Sequence, residues 1–118
     1  MITSALPGGV KISNDDPEYS FKYVSEHFAQ MLGYDTPEEL MEASGGTIAD
    51  LAHPDDLEQG IAQALEQYGK ADHYEITYRM KCKNGSWKYI EDRGHKIRKP
   101  DGVIEHWNLI LDQNELVE

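Results

Sequence analysis

The sequence predicts an α+β domain, with helices in its middle and an antiparallel sheet completed by its last third. Three observations carry that expectation. Tyr74, Ile76, Tyr78, Met80 and Cys82 alternate with Glu75, Thr77, Arg79 and Lys81, the period of a half-buried strand. Asn84-Gly85 follows, a dipeptide suited to the two positive φ angles of a type I′ hairpin turn. Upstream, capped segments with helical apolar spacing run from Ser25 to Tyr68.

Each element has its own signal. Val10-Lys11-Ile12 follows the break at Pro7-Gly8-Gly9 and reads as a short strand, closed by the turn cluster Asn14-Asp15-Asp16-Pro17. Phe21-Lys22-Tyr23-Val24 reads as a second strand. Ser25 is a fitting N-cap for a helix that turns Phe28, Met31 and Leu32 inward, and Gly33 is its C′ residue. Thr36-Pro37-Glu38-Glu39 is a capping box with proline at N1, and Ser44-Gly45-Gly46 stops the helix that it starts. Ile48 and Leu51 fit one short turn. Pro54-Asp55-Asp56 opens the longest helix, whose stripe is Leu57, Ile61, Ala64, Leu65 and Tyr68, and Gly69 closes it. A two-residue loop at Asn84-Gly85 sets Cys82 opposite Trp87 and Met80 opposite Tyr89. With Tyr74, Tyr78 and Trp107, this gives one aromatic sheet face, expected to form the core or a surface for self-association. Pro100-Asp101-Gly102 turns the chain into a last strand, Val103 to Leu111.

Composition bounds the function classes. The chain has 118 residues, enough for one core, and 22 acidic against 11 basic residues give a net charge of -11. So acidic a surface repels phosphate backbones and anionic lipid, which disfavours nucleic acid and membrane as partners. No apolar run approaches the roughly 20 residues of a spanning helix. The single cysteine, Cys82, excludes an internal disulfide and fits a reducing cytoplasm. Both ends read as cut from a longer chain.

Several short motifs stand in a telling order: Tyr23-Val24-Ser25, Leu32-Gly33-Tyr34 with Pro37-Glu38-Glu39-Leu40, His53-Pro54-Asp55-Asp56, Tyr78-Arg79, Lys83-Asn84-Gly85-Ser86, Asp101-Gly102 and Leu111-Asp112. In that order and at that spacing, Gly8 to Asn114 resembles the PAS domain family, in its bacterial sensor form with a PAC-type second half. Departures are Gln113-Asn114 in place of Ile-Thr, and Asn108 where many members carry glycine. The resemblance implies a five-stranded antiparallel sheet in the order 2-1-5-4-3 with helices on one face. It also implies a single sensory domain over residues 8–114, with 115–118 starting a linker to a downstream output domain. Members sit upstream of histidine kinases or diguanylate cyclases and often form homodimers.

Site expectations follow from residues and resemblance together. His53-Pro54-Asp55-Asp56 reads as a helix start, with the aspartates capping it and meeting the helix dipole. The competing reading is a small metal-dependent enzyme using His53, Asp55 and Asp56, but no metal-ligand spacing supports it. No catalytic residue is assigned. His73, His95 and His106 are expected as exposed strand histidines. Cys82 reads as packing, since the Asn-Cys-Arg-Phe run of flavin-adduct members is absent. Residues 55–68 hold no histidine for haem. No cofactor is therefore expected, haem and covalent flavin least of all. An unnamed small molecule remains the candidate ligand, in a pocket walled by Phe28, Met31, Ile48, Leu51, Ile61, Leu65, Tyr78 and Trp107. A docking domain without ligand stands as an alternative. Asp112, paired with Arg93, Lys96 or Arg98, and Asn114 as an exit-helix cap are the expected signal relay.

Overall fold

The computed structural model describes residues 8–113, so the expectations for Asn114 and for 115–118 fall outside the described residues. Strands β1 (Gly9–Asn14) and β2 (Phe21–Val24) come first. Helices α1 (Glu26–Met31) and α2 (Pro37–Ser44), a 3₁₀ turn (Ile48–Asp50) and the long helix α3 (Pro54–Tyr68) follow. Strands β3 (His73–Lys81), β4 (Trp87–Arg98) and β5 (Ile104–Asp112) complete the chain. They form one sheet in the order β2-β1-β5-β4-β3 with every pairing antiparallel, and the last strand is central, as expected. The helices cover one face. Phe28, Leu32, Leu40, Met80, Ile90 and Ile110 are fully buried between them and the sheet.

The helix starts follow their caps. Ser25 Oγ accepts from the Phe28 amide at 3.1 Å and from the Val10 amide at 3.0 Å, so one hydroxyl both caps α1 and ties it to β1. A Cβ at Gly9 would sit 2.5 Å from the Phe28 Cα, which is why α1 can lie directly on β1. Thr36 Oγ1 accepts from the Glu39 amide at 3.1 Å, while the Glu39 carboxylate reaches one residue further back, to the Asp35 amide at 2.9 Å.

At α3 the division of labour differs from the expectation. His53 itself is the cap: its Nδ1 accepts from the Asp55 amide at 3.0 Å. Asp56 instead grips strand β3. Its carboxylate accepts from Arg79 Nε at 2.9 Å, Arg79 Nη2 at 2.8 Å and the Arg79 backbone amide at 2.9 Å. The backbone of 51–53 bonds to Arg79 and Lys81, and Gln67 brackets Glu75, accepting from its amide at 2.8 Å and donating to its carbonyl at 3.0 Å. The free edge of β3 is thus closed along most of its length.

The β3–β4 hairpin corrects the register. Lys81 pairs with Trp87, Met80 with Lys88 and Arg79 with Tyr89. The turn is a longer one, because only Gly85 takes a positive φ (89°) and Asn84 does not. The Gly85 amide donates to the Cys82 carbonyl at 2.9 Å, and the Cys82 amide to the Ser86 carbonyl at 2.8 Å. A shift of one residue reverses side-chain facing. Trp87 and Tyr89 therefore lie on the outer face with Trp107, while Tyr74 and Tyr78 point to the helices. There is no single aromatic face.

The Asp56–Arg79 clasp has a pH signature. The Arg79 guanidinium holds the Asp56 carboxyl down at about 2, against 3.8 ordinarily. The folded chain therefore favours the carboxylate. Its contribution is complete above pH 3.8 and is lost as pH falls toward about 2. Asp56→Asn should lower stability near neutrality by about 1–2 kcal/mol, and the gap to the parent chain should close across that acid window. Urea unfolding at a series of pH values checks both.

Candidate functional site

Between α3 and the sheet lies a cavity of about 70 Å³ that opens to solvent. Its two sides differ in chemistry. The helix side presents Leu57, Ile61, Ala64 and Leu65, with Ile48 from the 3₁₀ turn. Gly60 leaves room there: a Cβ at that position would meet nothing closer than Ile76 Cδ1 at 3.8 Å.

The sheet side is a polar floor drawn from four strands. Lys11 and Asp92 are both buried, and Asn108 of the central strand stands between them. Lys11 Nζ donates to Asn108 Oδ1 at 3.1 Å and to Ser13 Oγ at 3.2 Å. Asn108 Nδ2 donates to Asp92 Oδ1 at 2.8 Å and to the Tyr74 hydroxyl at 2.7 Å. Tyr78 donates to Asp92 Oδ2 at 2.8 Å, with a longer bond from Tyr74 at 3.4 Å. Burial pushes the Lys11 ammonium below its ordinary value, opposed by the charge of Asp92, and pushes the Tyr74 and Tyr78 hydroxyls up. Gly94 makes the floor possible: a Cβ there would lie 2.4 Å from the Tyr74 ring.

A second chain of hydrogen bonds closes one end. His106 of β5 is buried rather than exposed as expected, because it sits on the helix-facing side of the central strand. Its Nε2 lies 2.9 Å from Asp15 Oδ1 and its Nδ1 3.0 Å from the Tyr68 hydroxyl. A carboxylate only accepts, so neutral His106 carries its proton on Nε2 and Tyr68 donates to Nδ1. Tyr19, at φ 49°, brings its ring within 5.2 Å of the His106 ring. Lys96 Nζ lies 4.7 Å over Tyr68, whose hydroxyl burial pushes up.

Of the residues expected to wall the pocket, Ile48, Ile61, Leu65 and Tyr78 line this cavity. Phe28, Met31 and Leu51 pack in the core instead. Trp107 faces outward, where its Nε1 donates to Glu105 Oε1 at 3.0 Å. His73 and His95 pair on the outer face, 5.8 Å apart. Asp112 meets Lys88 at 3.0 Å, not Arg93, Lys96 or Arg98. Asp112 pairs across from Ile90, and Lys88 is two residues away on the same face, whereas Lys96 and Arg98 lie toward the far end of β4 and Arg93 meets Glu91 and Glu75. Lys88 also donates to the Met31 carbonyl at 2.8 Å, linking the end of β5 to α1. Among the described residues, no three His, Cys, Asp or Glu side chains come together as metal ligands. His53 and Asp56 are occupied by the cap and by Arg79, and Cys82 is not among the cavity residues. The polar floor escaped the sequence reading, although Asp92 and Gly94 follow Ile90 at inward-facing spacing.

Removing one member of a buried charge pair strands the other. Asp92→Ala should cost about 3 kcal/mol, measured by chemical unfolding, and should lower the Tyr74 and Tyr78 hydroxyl pKa values in a spectroscopic titration.

Comparison with known proteins agrees with this architecture. The PAS fold family matches residues 21–111. A methyl sulfide methyltransferase-associated sensor from Methanosarcina acetivorans is 30% identical over 119 residues. That match covers 87% of this chain but only 12% of the relative's length. A sensory box histidine kinase/response regulator structure from Burkholderia thailandensis superposes with a TM-score of 0.70 at 26% identity, covering 98% of this chain and 83% of that one. A light-oxygen-voltage domain studied with a flavin analogue superposes with a TM-score of 0.72, covering 94% of this chain and 80% of that one. Its 17% identity shows a shared fold alone. With the sheet order, the helix-covered cavity and the match over most of its length, the chain belongs to the PAS fold family.

Proposed function

We propose that this domain is the sensory module of a multidomain signalling protein, taking up a small molecule between α3 and the sheet. The observation that carries this reading is the cavity itself, whose floor includes the central strand. In this reading, residues 8–114 are the sensor and 115–118 begin the linker to an output domain, a histidine kinase or diguanylate cyclase, in the cytoplasm. A ligand that binds one position of β5 better than another biases two states of the output. Asp112, held by Lys88 at the end of β5, passes the shift to the segment that follows. The domain itself is non-catalytic. A metal-dependent enzyme at His53, Asp55 and Asp56 is disfavoured because His53 and Asp56 already have structural roles. A cavity of about 70 Å³ is well below the roughly 300 Å³ at which pockets for drug-sized ligands begin. That size favours a small ligand over haem or flavin, and Cys82 lies outside the cavity.

Native mass spectrometry of the purified chain, with an absorbance scan, tests the sensor reading. A small-molecule adduct should be present in the parent chain and lost in Gly60→Leu, which fills the gap under α3. Identical spectra without adduct in both chains, each exposed to host extract, would refute it.

The outer face offers the site for homodimer formation. Tyr23 (51% exposed), Trp107 (44%) and Tyr89 (56%) leave aromatic area there that no element covers among the described residues. Sedimentation should show a dimer at high micromolar concentration, converted to monomer by Trp107→Glu. A parent chain that stays monomeric would overturn this assignment.

A further inference from the structure

We infer that the cavity takes a small uncharged amphiphile, with a hydroxyl or carboxamide head on the polar floor and a short hydrocarbon tail under Ile61 and Leu65. This rests on the sensor reading and adds the chemical class of its ligand.

Size comes first. A cavity of about 70 Å³ that opens to solvent has room beneath α3 for the few heavy atoms of a short chain. The tail side is set by Leu57, Ile61, Ala64 and Leu65, which offer no hydrogen bond.

The head is set by the hydrogen-bonding capacity that the floor leaves open. Both N–H groups of the Asn108 amide are taken, by Asp92 and Tyr74, and its oxygen accepts from Lys11. Asp92 already accepts from Asn108, Tyr78 and Tyr74. Lys11 donates two of its three N–H groups, to Ser13 and Asn108. Tyr68 donates to His106 and keeps its oxygen lone pairs. Donors therefore remain on Lys11 and the Ser13 hydroxyl, and acceptor lone pairs on the oxygens of Tyr68, Tyr74 and Tyr78. A hydroxyl or a primary carboxamide offers both complements.

Charge excludes the alternatives. Lys11 and Asp92 balance each other across Asn108, and both are buried. A carboxylate would gain Lys11 but meet Asp92, and an ammonium the reverse. Either brings a third charge out of water with no unmatched partner to receive it.

The test uses four probes of one tail length: 1-butanol, butanamide, butyrate and butylammonium. Each is titrated into the full chain while the methyl NMR signals of Ile48, Ile61 and Leu65 are followed. Butanol and butanamide should shift these signals saturably, and the two ions should bind at least about tenfold more weakly. Ala64→Phe, which fills the tail space and leaves the floor intact, should abolish the shifts. If an ion binds as well as the neutral probes, the ligand class is wrong while the sensor cavity stands. If no probe moves any cavity methyl, the inferred ligand class is wrong, and the mass-spectrometric adduct decides the sensor reading separately. Shifts that survive in Ala64→Phe place the probe elsewhere and overturn the inference.

Discussion

The side-chain amide of Asn108 is the constraint on which this structure turns. It lies at the middle of the central strand and joins a buried ammonium on β1 to a buried carboxylate on β4. The tyrosines of β3 complete the same set through Asp92. Four of the five strands thus share one hydrogen-bonded network, with no buried side-chain polar atom left unpartnered among the described residues. Such a network specifies strand positions in a way that aliphatic packing does not, because each donor has a particular acceptor. Its cost is desolvation of two charges, which mutual attraction across Asn108 offsets only while every partner is in place.

The same network forms the floor of the cavity. The aliphatic side chains of α3 make no hydrogen bond to the polar floor, and the helix is held at its ends. Asp56 clasps Arg79 near the helix start, and Gln67 brackets Glu75 near its finish. Tyr68 adds a bond to His106 on the central strand. Between those ties come Gly60 and Ala64, with Ile61 and Leu65 partly exposed. The strand forming the floor ends at the Asp112–Lys88 pair beside α1.

Much of this architecture was legible in the residues. Caps at Ser25 and Thr36 and prolines at Pro37 and Pro54 marked the helix starts, because those signals act locally. The PAS resemblance supplied the sheet order. The hairpin register was not legible: Asn84-Gly85 serves a two-residue loop and a longer one with a single left-handed glycine equally well, and the difference reverses Trp87 and Tyr89. The polar floor was hidden for another reason. Its members are separated by as many as 97 positions, and a lysine or asparagine in an alternating strand reads as solvent-facing until the pairing is known. Lys88 as the partner of Asp112 was hidden likewise, since its choice depends on the β4–β5 register.

A double-mutant cycle measures the coupling between Lys11 and Asp92 across Asn108. Lys11→Met, Asp92→Leu and the combined variant would be compared with the parent chain by urea unfolding. Coupling through Asn108 predicts that each single change destabilises strongly and that the pair together costs less than the sum, with a coupling energy of about 1–3 kcal/mol. Additivity within about 0.5 kcal/mol would show that the two charges do not act as one unit, and would contradict the account.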